Sequence, residues 1–525
     1  IQKGTSYVLR LRLRANRADT VGLNCMMSHA PWEHLGLTRT VRVGPEWREY
    51  ELYFVASRDE APTEDGSGGA RITLTGLSRE GLQVAFTRPT LRQAAVTGLP
   101  AGEGLAEGVA WPSRDAGGRT PAVRREMVRF LRDTEVAYWD GMRRYLHDEL
   151  GVQMPVTGTA VGFTSPYVAA ESADFVDSHA YWQHPHFPGR AWDSEDWLVP
   201  NRTMVNAADG GTIAGLSARR VFGLPYTVTE YNHPRPNEYC AEGFPLVAAL
   251  GAYQRWQGMF QFAYCHNDTF ETDHFGSFFD MKADPAKLAV MPACSAVFRH
   301  GLVGPARDAA AGKLPLAERL DLLFSNGPRA IDAYAGGVSR EGWRNSRIGV
   351  EQATAPRERE GGIGHLEWRT GEGEGVLSFR GRGCAGLIGF CEGEEFEVGD
   401  VRLRPGRTSL DGFSVVVLAP VDGQGAGEAG SYLLTAVARS ANRDMGWNEE
   451  HNSVGTAWGS GPTLCEGVPL TLTVRGDGEH LEVYPLGPAG RRRERVPPQM
   501  QGGGSTVFRL GPRQKTLWYE LVVAD

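Results

Sequence analysis

Strict alternation of apolar and charged residues in Tyr7-Val-Leu-Arg-Leu-Arg-Leu-Arg14 predicts a strand with one dry and one wet face. Looser alternation in Glu46-Trp-Arg-Glu-Tyr-Glu-Leu-Tyr-Phe54, and short β-rich runs at 70–75 and 82–86, extend that pattern, so residues 1–97 read as an antiparallel β-sandwich. From 98 to 310 the period changes. Apolar residues at 127, 130, 131, 138, 142, 146 and 150, closed by Gly151, predict a helix over 123–150. Strand candidates at 154–159, 174–179, 226–230 and 259–264 alternate with helical segments at 211–222, 242–256 and 285–300. That βαβα order predicts a parallel sheet of four strands. A connecting segment, 311–340, leads to a second all-β region over 341–525. Its strands are expected at 375–379, 414–418, 432–437, 470–474, 481–484 and 517–523, with Gly502-Gly-Gly504 as a flexible loop tip. The expected fold class is therefore multidomain, α/β plus all-β.

Composition narrows the classes of function. Hydrophobic residues at 41%, charged residues at 22% and a net charge of -8 describe an ordinary, slightly acidic globular chain. The short basic run Arg491-Arg-Arg-Glu-Arg495 lies among Gly and Pro and reads as a solvated loop, so nucleic acid is not an expected partner. No apolar run reaches the length of a membrane span. The 67 Gly, 31 Pro and 13 Trp suit many strands joined by tight turns with aromatic surface to spare, a mixture that suits sugar binding. Seven Cys without a CxxC pair signal neither a zinc ribbon nor a disulfide framework; Cys384 and Cys391 either pair across a hairpin or stay as free buried thiols. The chain opens with Ile1 already in a strand. An export signal is accordingly expected upstream, with the protein secreted or periplasmic.

The most informative stretch is Pro225-Tyr-Thr-Val-Thr-Glu230-Tyr-Asn232, a β-rich run ending in a carboxylate beside an aromatic and an amide. A short strand with a Glu at its C-terminal tip is how a (β/α) barrel presents a catalytic group. Together with Asp177-Ser-His179-Ala-Tyr181-Trp182 and Tyr253 to Tyr264, this stretch resembles strands six to eight of retaining (β/α)-barrel glycoside hydrolases of the clan A type. The resemblance covers roughly 200 residues and implies a partial barrel, strands 5–8 of eight, over 98–310. It makes Glu230 the nucleophile, His179 and Tyr181 the His-x-Tyr that lines the site, and Tyr264 a sugar platform where the clan usually has Trp. The opening of the chain resembles jelly-roll carbohydrate-binding modules, which marks Trp32, His34 and Trp47 as sugar contacts; core packing is the other reading of Trp47.

The chemistry such a resemblance implies needs a pair of carboxyl groups. A retaining glycosidase traps an oxocarbenium-like transition state with one carboxylate while a second, protonated, serves the leaving oxygen about 5–5.5 Å away. In the clan the second is a Glu after Asn on strand four. The only Asn-Glu pairs are Asn237-Glu238 and Asn448-Glu449, neither at that position, so the acid/base is expected upstream of Ile1 and the chain alone is expected to be nearly inactive. Glu135 and Glu149 are poor substitutes on a helix. The aromatic loop Trp182, His184, Phe187, Trp192 and Trp197 is expected to wall the substrate, with Asn201, Arg202, Asn232, Asn237, Glu238 and Glu242 as polar contacts. Turn chemistry is the alternative for His233 and Asn237. Asp177, His179, His184 and His186 also admit a metal reading, although no third ligand shell follows; no metal or other cofactor is expected. The expectation is a retaining β-glycosidase of polysaccharides or oligosaccharides, the competing one a carbohydrate-binding protein on a degenerate barrel.

Overall fold

The computed structural model describes residues 1–62, 68–93, 106–108, 121–158, 165–326, 332–351, 364–371, 373–421, 430–501 and 504–524. It divides into two compact units, Ile1–Tyr138 with Pro315–Ala330, and Trp139–Leu314 with Ile331–Asp525.

In the first unit the alternation of the opening strand acts as expected. In β1 (Ser6–Ala15), Leu9, Leu11 and Leu13 are buried while Arg10, Arg12 and Arg14 face water. Four further strands follow: β2 (Asp19–Met27), β3 (His34–Val43), β4 (Arg48–Val55) and β5 (Ala70–Thr75). Two short ones, β6 (Val84–Phe86) and β7 (Thr90–Gln93), complete the set. β1 pairs antiparallel with β4, β6 and β7, and β2 pairs with β3 and β5, so two sheets enclose one apolar core. The register sets Leu9 opposite Leu52 and Tyr7 opposite Phe54, whose rings stack 5.7 Å apart. Trp47 is not core: it is 38% exposed, with the Arg12 and Arg14 guanidinium groups over its ring. Trp32 is likewise exposed, under Arg71.

The second unit holds a parallel sheet of three strands, β8 (Val176–Tyr181), β9 (Tyr226–Asn232) and β10 (Gly258–Gln261), in the order β10-β9-β8. The expected fourth strand is absent over 154–158, and Thr159 lies outside the described residues. Pro155 has no N–H to give a ladder, and Val156 is tied instead to the Asp174 carboxylate, 2.8 Å away. The partial four-strand barrel is thus corrected to a three-stranded parallel layer, and no closed barrel forms among the described residues. A separate parallel pair joins β11 (Asp308–Gly312) to β12 (Ser346–Val350).

Helix α1 (Pro121–Arg144) closes in a π-helical turn, Tyr145–Glu149, and is followed by α2 (Pro166–Ser172) and α3 (Gly211–Ser217). Next come α4 (Gly243–Gln254) and α5 (Pro285–Arg299). α4 is apolar all round and every one of its residues is buried, as such a helix must be. α4 and α5 share one core with the parallel layer and the inner face of a seven-stranded antiparallel sheet. That sheet runs His365–Arg369, Val376–Gly381, Cys384–Phe390, Phe413–Pro420, Gly430–Val437, Trp518–Val523, Leu481–Pro485. A five-stranded sheet packs on its other face around a second core, which makes the C-terminal β-sandwich. The seven cysteines are all free, Cys384 and Cys391 included. Among the described residues no helix is long and apolar enough to cross a membrane.

Candidate functional site

Parallel strands deliver their C-terminal ends to one edge, so the ends of β8 and β9 bring His179 level with Glu230 and Tyr181 level with Asn232. A register shift between Ser178 and His179 lets Thr229 fall out of step, which turns Glu230 toward the β8 side chains. The Tyr181 hydroxyl donates to Glu230 Oε2 at 2.5 Å, and His179 Nδ1 lies 3.4 Å from the same oxygen. Burial and that hydrogen bond to a carboxylate push the Tyr181 phenol well above its ordinary value, so it stays a donor. The Glu230 side chain is 33% exposed.

Below Glu230 the strand floor is polar and closed. Asp177 accepts from Thr227 Oγ1 at 2.5 Å, Thr229 Oγ1 at 2.5 Å and the Thr229 amide at 3.1 Å, and its Oδ2 lies 3.2 Å from His179 Nε2. Burial alone raises a carboxyl, but the bonds from His179 and the two threonines outweigh it and hold Asp177 below its ordinary value. His179 is raised, first by the bond to Asp177 and then, against burial, by the Glu230 charge.

Aromatic groups pack around Tyr181, which holds this carboxylate. Tyr181 packs against Phe279 at 4.9 Å, His184 at 5.5 Å and Phe262 at 6.0 Å. Trp192, 62% exposed, touches His184 and Phe187. Tyr264 is 52% exposed and stacks with Phe270. Phe279 and Phe262 were not anticipated as ring partners of Tyr181; their only signal was an aromatic-rich segment after β10.

Several expected contacts belong elsewhere. Asn232 is buried, its amide nitrogen on the carbonyls of Phe279 and Phe262 and its oxygen taking Lys287 Nζ at 2.8 Å and Gln261 Nε2 at 2.9 Å. Glu242 is buried and accepts from Thr203 Oγ1 and the Met204 amide, both at 2.5 Å. Asn237 holds the Arg202 carbonyl at 2.8 Å. Asn201 pairs with Glu238 through both its amide atoms, and Glu238 also takes Arg439 and His451. These five serve a loop that must bury its own backbone, and buried His233 meets the Tyr231 hydroxyl at 2.9 Å. Trp182 points its indole N–H at the Arg202 carbonyl, half-buried at the edge of the same loop.

The aromatic loop divides as well. Trp197 is 3% exposed and packs between Phe278 and Trp458, 4.7 and 5.6 Å away, so it is core and not substrate wall. Trp197→Ala is expected to cost about 3–5 kcal/mol in urea unfolding, whereas Trp192→Ala stays within about 0.5 kcal/mol. Equal losses would contradict that division. The histidines of the metal reading stand apart in role: His179 is held by Asp177, and exposed His184 turns Nδ1 to its neighbouring carbonyl. Among the described residues no three His, Cys, Asp or Glu gather as a metal site.

No family model matches the chain, and no curated protein does. Five chains of known structure match. One, described as "CBM4 structure and function", is 25% identical over 18% of this chain and 68% of that one, with a TM-score of 0.16. Another is the N-terminal cellulose-binding domain from Cellulomonas fimi β-1,4-glucanase C, 24% identical over 18% of this chain and 64% of that one, also at a TM-score of 0.16. Likeness at that level identifies neither fold nor activity.

Proposed function

We propose that the protein is a carbohydrate-active enzyme, a retaining β-glycoside hydrolase in which Glu230 is the nucleophile. One observation carries the reading: a part-exposed carboxylate at the tip of a parallel strand with one oxygen held by a tyrosine hydroxyl at 2.5 Å. The hydroxyl on one oxygen holds and aims the carboxylate, as a nucleophile requires. In the first step a Glu230 oxygen forms a bond to the anomeric carbon as the bond to the leaving oxygen breaks, and that oxygen takes a proton from a general acid; water then reverses the sequence. The exposed faces of Trp192 and Tyr264 suit the apolar faces of sugar rings.

The test is stereochemical. Proton NMR of a digest of a dinitrophenyl β-glycoside, whose leaving group needs no proton donor, should show the β-anomer of the product first, with the α-anomer growing only by mutarotation. An α-anomer formed first contradicts the reading. One observation favours the second reading, a carbohydrate-binding protein without catalysis: Glu238 and Glu242, the carboxylates nearest Glu230 in sequence, are buried and committed to protein partners, so neither serves as proton donor.

A further inference from the structure

We infer that Asp177 is a positioning residue: it fixes the proton on His179 Nε2, so that a ring also charged at Nδ1 stands against the Glu230 oxygen already held by Tyr181 and the other carboxylate oxygen is left to react. The reactive role rests on the proposed function; the hydrogen-bond order does not.

The order follows from donors and acceptors. Thr229 Oγ1 gives its proton to Asp177 Oδ2 at 2.5 Å, so toward His179 Nε2, 2.9 Å away, it presents a lone pair. The other neighbour of Nε2 is the Asp177 carboxylate at 3.2 Å, an acceptor only. With acceptors on both sides, Nε2 must carry hydrogen. Asp177 itself cannot rotate away: its side chain is 5% exposed, and Thr227 Oγ1 and the Thr229 amide hold its second oxygen from β9.

The other ring nitrogen then decides the charge. Nδ1 is buried, has no hydrogen-bond partner of good geometry, and lies 3.4 Å from Glu230 Oε2. A neutral ring protonated at Nε2 would set a lone pair against a carboxylate. A ring protonated at both nitrogens sets an N–H there instead, and two flanking carboxylates stabilise that cation. The charged groups facing the ring are Asp177, on its own strand, and Glu230, on β9; the raised His179 value has the same two sources. Both contacts of Glu230 fall on Oε2. Among the described residues Oε1 has no hydrogen-bond or ion-pair partner, which marks it as the atom that attacks.

The test titrates His179 by proton–nitrogen NMR in protein labelled at histidine, its signals identified by their loss in His179→Gln. In Asp177→Asn and in Glu230→Gln the midpoint should move to lower pH, and the Nε2 tautomer should lose its preference in Asp177→Asn only. With an activated aryl β-glycoside, Asp177→Asn should lower kcat on the order of 10²-fold with KM little changed. If Asp177→Asn fails to fold, Thr229→Val replaces it and should shift the same midpoint downward. An unchanged midpoint and tautomer in the folded variant overturns the inference. Shifted midpoints without turnover of any glycoside by the unaltered protein uphold the hydrogen-bond order and remove the hydrolase reading alone.

Discussion

With a dinitrophenyl β-glycoside, whose leaving group departs without a proton donor, Glu230→Gln is expected to lower turnover on the order of 10⁴-fold to 10⁶-fold, the usual cost of deleting a nucleophile. The amide keeps the size of the carboxylate and can still accept from Tyr181, so the strand tip should hold its shape. It has neither the charge nor the nucleophilicity to trap an oxocarbenium-like centre. Because Glu230 sits at the open end of the sheet, with a third of its side chain in water, unfolding should shift by less than about 1 kcal/mol. Affinity for an oligosaccharide, measured by calorimetry, should stay within a few-fold, since aromatic faces carry that contact. Loss of binding together with turnover would make Glu230 a sugar contact and not a nucleophile.

The second large effect concerns stability. Arg235 and Asp284 are both buried and meet through two hydrogen bonds, 2.7 and 2.6 Å, while Arg235 also reaches the Ser440 carbonyl at 3.0 Å and its hydroxyl. The pair thereby joins the loop after β9, the start of α5 and the strand Ser440–Arg443. Asp284→Asn leaves a buried guanidinium without its counter-charge and should cost about 3–5 kcal/mol in urea unfolding of the protein. Replacing both partners by apolar residues should cost much less, because the charge that suffers is then gone. A single variant within about 1 kcal/mol of the parent would contradict the account.

The same pair sets a pH dependence. Burial favours the neutral acid, but the Arg235 charge outweighs it and holds Asp284 below its ordinary value of 3.8. A lowered folded value means that the unfolded chain binds the proton more readily, so stability is complete above about pH 4–5 and is lost as pH falls through the folded value. Asp177 acts in the same direction. Acid unfolding should therefore begin at higher pH in Asp284→Asn, which starts from a lower plateau.

What the sequence made legible, and what it hid, follows from where polar groups find partners. Alternation in β1 was legible because one face meets a core and the other water. The spacing of Asp177, His179 and Tyr181 was legible too, since residues two apart share a strand face. Asn201, Asn232, Asn237 and Glu242, expected as substrate contacts, are held by protein partners, because a polar side chain after a strand serves a ligand or a buried backbone equally well. The discriminating signal lay just downstream: α4 is apolar on every side, so the loop leading into it is buried and needs internal acceptors and donors. Trp192 and Trp197 differ by five positions and share one loop, yet only the second meets Phe278 and Trp458, the latter distant in sequence. Cys384–Phe390 escaped notice as a strand because both its faces are covered and no alternation survives. The fourth parallel strand was expected from apolar residues at 154–159 that a proline interrupts.

The most direct measurement of the central claim is covalent trapping. A panel of 2-deoxy-2-fluoro β-glycosides with a dinitrophenolate leaving group, which departs without a proton donor, is incubated with the protein and read by intact mass and peptide mapping. A one-to-one glycosyl adduct on Glu230 is expected for at least one sugar, absent in Glu230→Gln. No adduct across the panel, or an adduct on any other residue, would contradict it.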